Sequence, residues 1–149
     1  MRMSKPVAVF LVLFFSFIII RTYYDHTDVA PKTAAAETEL RQELGRIYKL
    51  PGADFVGDKM MTKNRFITFF YNYTTDNDWD EFCRFYSAEM NRNGWVLKRD
   101  RILEGTRSLE YVKKEYYLRI GYNLVQKPHG YSIVAKWDYD EKDKNYLLP

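Results

Sequence analysis

Asp76, Asp78 and Asp80 alternate along the chain in the arrangement closest to a metal-binding loop. A calcium loop of that kind needs a glycine at its sixth position for a sharp turn and a bidentate glutamate at its twelfth to close the coordination sphere. Glu81 and Ser87 stand at those positions. Asp78 with Glu81 three residues on reads better as a capping box, each side chain satisfying a free amide at a helix start. A second acidic group, Asp138, Asp140, Glu141 and Asp143, is interspersed with Lys142 and Lys144 and reads as a solvated strand exit. No metal and no cofactor is expected.

Nucleophiles are equally sparse. The single cysteine, Cys83, lies among aromatics in WDEFCRFY, where burial as a small apolar residue is expected, because a catalytic thiol needs a base and an accessible electropositive setting. One cysteine also forbids an internal disulfide. The two histidines, His26 and His129, fall in a tether and a turn, and the chain has no nucleophile elbow, no phosphate-cradling glycine loop and no histidine pair at metal-ligand spacing. No catalytic residue is predicted, and the chain is not expected to be an enzyme.

Two groups suit recognition instead. Lys98, Arg99, Arg101 and Arg107 flank the hairpin KRDRILEGTR, and such a patch could meet anionic headgroups or an acidic partner. Asp100 and Glu104 interrupt it, and cations on an edge strand also guard against unwanted strand pairing. Tyr71, Tyr73, Tyr117 and Tyr122 are candidates for an aromatic groove that takes a lipid, peptide or glycan.

These residues must be positioned by one domain. Residues 33–49 carry strong helix formers with Leu40, Leu44 and Ile47 on one stripe, Thr33 as cap, and Pro51 and Gly52 as the stop. This helix is expected to pack on the domain rather than stand as a stalk. RFITFFYNYT, residues 65–74, is the clearest strand, apolar on both faces and therefore central. A helix over 78–93 follows, with Trp79, Phe82, Cys83, Tyr86 and Met90 on its core face, Glu89 among its solvent-facing residues, and Gly94 past its last turn. Strand-like runs 95–99, 108–113, 116–124 and 131–139 complete an antiparallel meander. The fold class is α+β, one helix laid on a mostly antiparallel sheet.

The passage NYTTDNDWDEFCRFYSAEMNRNGW, with Phe85-Tyr86 on the helix and Gly94-Trp95 at its close, followed by hairpins and a last strand holding Trp137, resembles small membrane-anchored bacterial domains of unassigned activity. The resemblance covers about residues 50–140. It implies an α+β fold in a bacterial envelope and carries no functional residue across.

Ahead of this domain, residues 7–20 (VAVFLVLFFSFIII) form an apolar run behind Arg2 and Lys5. Fourteen helical residues cover only about 21 Å, so the flanks to Met3 and Tyr24 must help to span a hydrocarbon layer of ~30 Å. RTYYDH after the run offers no small residues for cleavage, which favours an uncleaved signal-anchor over a removed signal peptide. Residues 1–24 are thus a cytoplasmic stub and transmembrane anchor, 25–32 a polar tether, 33–140 the extracytoplasmic domain and 141–149 a polar tail. Without Arg2, Lys5 and Arg21 the 23 basic residues fall to 20, equal to the 20 acidic ones. The domain is neutral, and no nucleic acid is expected as partner.

A tethered domain with these features is expected to serve as an interaction or accessory module of an envelope assembly, held by the inner membrane with its bulk on the periplasmic or extracellular side. The alternative is a ligand-binding domain with an aromatic groove. The basic bias toward the short end predicts that a phosphatase fused at Pro149 is active and a fluorescent protein fused there is dark after export as an unfolded chain. The opposite pair of signals would place the domain in the cytoplasm.

Overall fold

The computed structural model describes residues 5–140. Helix α1, Lys5–Tyr24, is long and apolar enough to cross a membrane. At ~1.5 Å per residue its 20 residues match a hydrocarbon core of about 30 Å. Its large side chains have no protein cover: Phe10, Leu13, Phe17 and Ile20 are each 62–67% exposed.

The expected tether is helical. A π-helical turn at Asp25–Val29 continues α1 directly into α2, Ala30–Gly45. Pro31 has no amide to give to the preceding turn. The wider turn absorbs this, with the Ala30 amide reaching back five residues to the Asp25 carbonyl. Thr33 is therefore inside a helix and not its cap; its hydroxyl donates to the Val29 carbonyl at 3.0 Å and to that of Asn64 at 2.7 Å. Helix α2 stops at Gly45, short of the expected residue 49. It packs on the domain through Val29, Thr33, Ala36, Leu40 and Glu43, all buried, with Leu44 and Ile47 half-buried beside them.

Six antiparallel strands form one sheet: β1 Asp54–Lys63, β2 Phe66–Thr75, β3 Val96–Leu103, β4 Thr106–Lys113, β5 Tyr116–Asn123 and β6 His129–Asp138. Their order is β1-β2-β6-β5-β4-β3. The four-strand meander closes on β2, which is interior as expected, and the hairpin partner β1 adds a sixth strand that sequence patterning did not reveal. Both edges carry a bulge, between Phe55 and Gly57 on β1 and between Leu97 and Arg99 on β3.

Helix α3, Trp79–Arg92, lies on the same sheet face as α2. Asp78 caps it by accepting from the Glu81 amide at 3.0 Å, while the Glu81 carboxylate takes the Asn77 side chain at 2.9 Å. Gly94, at φ 75°, ends it, and the Trp95 amide returns to the Met90 carbonyl at 2.9 Å. Beneath it runs a file of rings: Tyr73 on Tyr131 at 4.9 Å, Tyr131 on Phe82 at 5.1 Å and Phe82 on Tyr122 at 4.6 Å between centroids. Glu89, expected in water, is buried. It accepts from the Tyr48 amide, Arg92 and Asn93, tying the end of α3 to the segment after α2. Burial alone would raise its pKa; Arg92 and the Tyr48 amide outweigh that and hold it below the ordinary value.

If Phe82 is the centre of this layer, Phe82→Ala opens a cavity costing about 3 to 5 kcal/mol. Arg84→Ala, on the exposed side of α3, costs less than about 0.5 kcal/mol. Urea unfolding of the full chain in lipid nanodiscs, followed by tryptophan fluorescence, compares them; equal midpoints would contradict this packing.

Candidate functional site

Register decides which side chains share a face. Leu109, Tyr111, Leu118, Ile120, Tyr131 and Ile133 turn toward the helices and are buried. Among the described residues, no helix or strand is laid over the opposite face. Its half nearer the helix entry carries Phe66, Phe70, Val112, Tyr117 and Val134, all half-buried. Thr33 and Asn64 meet at that entry.

The far half is different in chemistry. One in-register row crosses every strand: Gly57, Asn72, Ser132, Gly121, Ser108 and Arg101. Six strands at about 4.8 Å spacing give this row a length of about 24 Å. Missing or short side chains leave a trough of about 590 Å³, which Thr74, Thr106, Arg119 and Asn123 also line and which Val56 and Leu103 bound at its two ends.

The predicted basic cluster does not survive as one patch, because the strand pleat divides it. Arg107 faces the helices, bidentate to Asp100 at 2.7 and 3.0 Å with its guanidinium 4.4 Å from the Trp79 ring centre. Lys98 is the bulge residue of the edge strand β3, a position that hinders pairing with another chain. Arg99 and Arg101 do reach the uncovered face, where both meet Glu110. Arg101 Nη2 is 2.6 Å from Glu110 Oε1, a charge pair off hydrogen-bond alignment, and Arg99 lies 4.0 Å from Oε2. Glu110 is buried under these arms.

The four tyrosines do not form one groove either. Tyr71 and Tyr73 line a small cavity of about 290 Å³ under the end of α2 with Leu44, Ile47 and Tyr48. Tyr122 is in the core beneath α3, its hydroxyl donating to the Asn77 carbonyl at 2.7 Å. Tyr117 is on the other face, where burial first and the Glu110 carboxylate next push its hydroxyl up to about 12. The aromatic surplus fills the core.

Arg119 is the residue that charge clustering missed. It is isolated in sequence and stands beside Glu110 and Val134 in register. It is half-buried in the trough and makes no ion pair or hydrogen bond among the described residues. Three arginines, Arg99, Arg101 and Arg119, thus stand around Glu110, and the trough lining itself carries two guanidinium groups, of Arg101 and Arg119, against one carboxylate, that of Glu104.

Other candidates have structural roles. Cys83 is half-buried with its sulfur 3.8 Å from the Ser87 hydroxyl. His129 is buried at the start of β6, stacked on Tyr122 and bonded to the Asn123 carbonyl at 2.9 Å. Asp138 and Asp140 lie at the sheet end, where Asp140 takes Arg65 at 2.7 Å; Glu141 and Asp143 lie outside the described residues. No group of three or more histidine, cysteine, aspartate or glutamate residues is placed to hold a metal among the described residues. No family model, curated protein or solved structure matches the chain.

Because Arg119 makes no hydrogen bond or ion pair among the described residues, Arg119→Gln is expected to leave stability within about 0.5 kcal/mol. Glu110→Gln strips two arginines of their shared carboxylate and costs about 1 kcal/mol or more. Urea midpoints of the two variants in nanodiscs test this, and an Arg119→Gln loss as large as that of Glu110→Gln would show that Arg119 is a structural ion.

Proposed function

We propose that the chain is a single-pass, membrane-anchored recognition domain of a bacterial envelope, an accessory component that contributes binding and not catalysis, with its sheet outside the cytoplasm. One observation carries this: a six-stranded sheet whose second face is left uncovered by the described residues although it presents Phe66, Phe70, Val112, Tyr117 and Val134. A half-buried apolar face of that kind gains from a protein cover. The anchor makes weak contacts sufficient by raising the effective concentration of membrane-bound partners.

The mounting supports the same role. Just past the apolar span, Arg65 binds Asp25 and Asp140, each at 2.7 Å, and Tyr139 joins Tyr24 and Asp28, each at 2.7 Å. Lys32 and Tyr139 hold the Asp28 carboxyl down to about 2. These contacts fix the sheet end to the emerging helix, so the uncovered face is presented in a set attitude to anything beside the membrane.

A photo-crosslinking residue at Phe70 is expected to capture an envelope protein in native membranes, while the same residue at Arg84, on the exposed side of α3, captures none. Equal capture at both positions, or none at Phe70, would remove the uncovered face as the recognition surface.

A further inference from the structure

Five features converge in the trough. It is concave, and its volume of about 590 Å³ lies within the range of ligand sites. Ser108 is only 9% exposed as a residue, and its hydroxyl, which makes no hydrogen bond among the described residues, is not sealed off but opens to the trough. The Ser108 and Ser132 hydroxyls converge over Gly121, lying 3.7 and 3.5 Å from the place where a β-carbon would sit on that glycine. Arg119 brings to the same floor a guanidinium that has no hydrogen bond or ion pair among the described residues. A hydroxyl that opens to the trough without an internal partner keeps its donor and acceptor capacity for whatever enters there.

The lining restricts what that partner is. An extended peptide is read through a sheet edge or through pockets for alternate side chains. Here the middle of the trough lies across interior strands whose backbone groups are already used in the ladders, and its aliphatic residues, Val56 and Leu103, stand at the two ends on the edge strands rather than along its floor. Hydroxyl and amide groups from Asn72, Thr106, Ser108 and Ser132 call for a ligand rich in hydroxyls, and the guanidinium fork calls for an oxyanion. We propose that the trough binds an acidic saccharide, its carboxylate on Arg119, with Arg101 at the near rim, and its hydroxyls on Ser108, Ser132 and Asn72. This rests on the uncovered face being the recognition surface, and it places the saccharide on the half of that face that the apolar residues do not occupy.

Calorimetric titration of the full chain in nanodiscs with trigalacturonate tests it, alongside maltotriose as a neutral sugar, inorganic phosphate as a free oxyanion and hexaglutamate as an acidic peptide. Trigalacturonate is expected to bind at least about tenfold tighter than each of the other three. Arg119→Gln weakens it by about tenfold or more, and Ser132→Tyr, which fills the trough from the solvent side, abolishes it; Arg84→Gln leaves it unchanged. Absence of trigalacturonate binding, equal affinity for maltotriose or hexaglutamate, or indifference to both trough variants overturns the assignment. Capture from Phe70 is read separately, so loss of the saccharide site and loss of the protein-facing surface are distinguishable.

Discussion

The pairing of β2 with β6 is the constraint on which the rest of the structure depends. These strands are far apart in sequence, yet they pair along their whole length, from Phe66 opposite Asp138 to Thr75 opposite His129. This seam joins the β1-β2 hairpin to the meander β3 to β6, and α2 packs against both of its strands. A slip of one residue would turn Tyr131, Ile133, Ala135 and Trp137 out to the uncovered face and put Ser132, Val134 and Lys136 beneath the helices. Rings stacked across the seam, Tyr73 on Tyr131 above all, resist that slip.

Much of this was legible. The α3 helix announces itself by its capping box, its aromatic stripe and Gly94, each of which acts within a few residues, and β2 by a run of aromatic and β-branched residues. Strand β1 gave no such signal, because every one of its side chains is exposed. An edge strand with both faces wet has no need to alternate, and its existence depends on β2 being there to pair with. The 25–32 segment misled for a related reason. DHTDVAPK is polar with an internal proline, which locally reads as a break, but its acids are the partners of Arg65 and Tyr139 from elsewhere in the fold, and of its own Lys32 one helical turn on. Tertiary contacts and a π-helical turn override the local preference.

The trough was illegible for a stricter reason. Its row is assembled from one residue on each of six strands, at positions 57, 72, 132, 121, 108 and 101, and no spacing along the chain links them. Clustering by charge found Arg99 and Arg101 but also swept in Lys98 and Arg107, since contiguity in sequence ignores the pleat. Arg119, alone between Leu118 and Ile120, has no charged neighbour to draw the eye. Aromatic counting failed in the same way: Tyr71, Tyr117 and Tyr122 differ in depth or in face, and only register separates them.

The two halves of the uncovered face then follow from where burial is required. Near the helix entry the sheet is flanked by the anchor and its Arg65 clamp, and apolar residues there cost little because water reaches them only partly. At the far end no element shields the surface, and hydroxyls, amides and glycines take over. Glu110 stands at the boundary, buried by arms that neutralise it. Its charge accounts for Arg99 and Arg101 as structural partners and leaves Arg119 unaccounted for. A half-buried guanidinium carries a desolvation cost, and the neighbouring carboxylate, Glu110, is already shared by Arg99 and Arg101. The place of Arg119 in a concave part of the face is the physical reason to look outside the chain for the group that completes it.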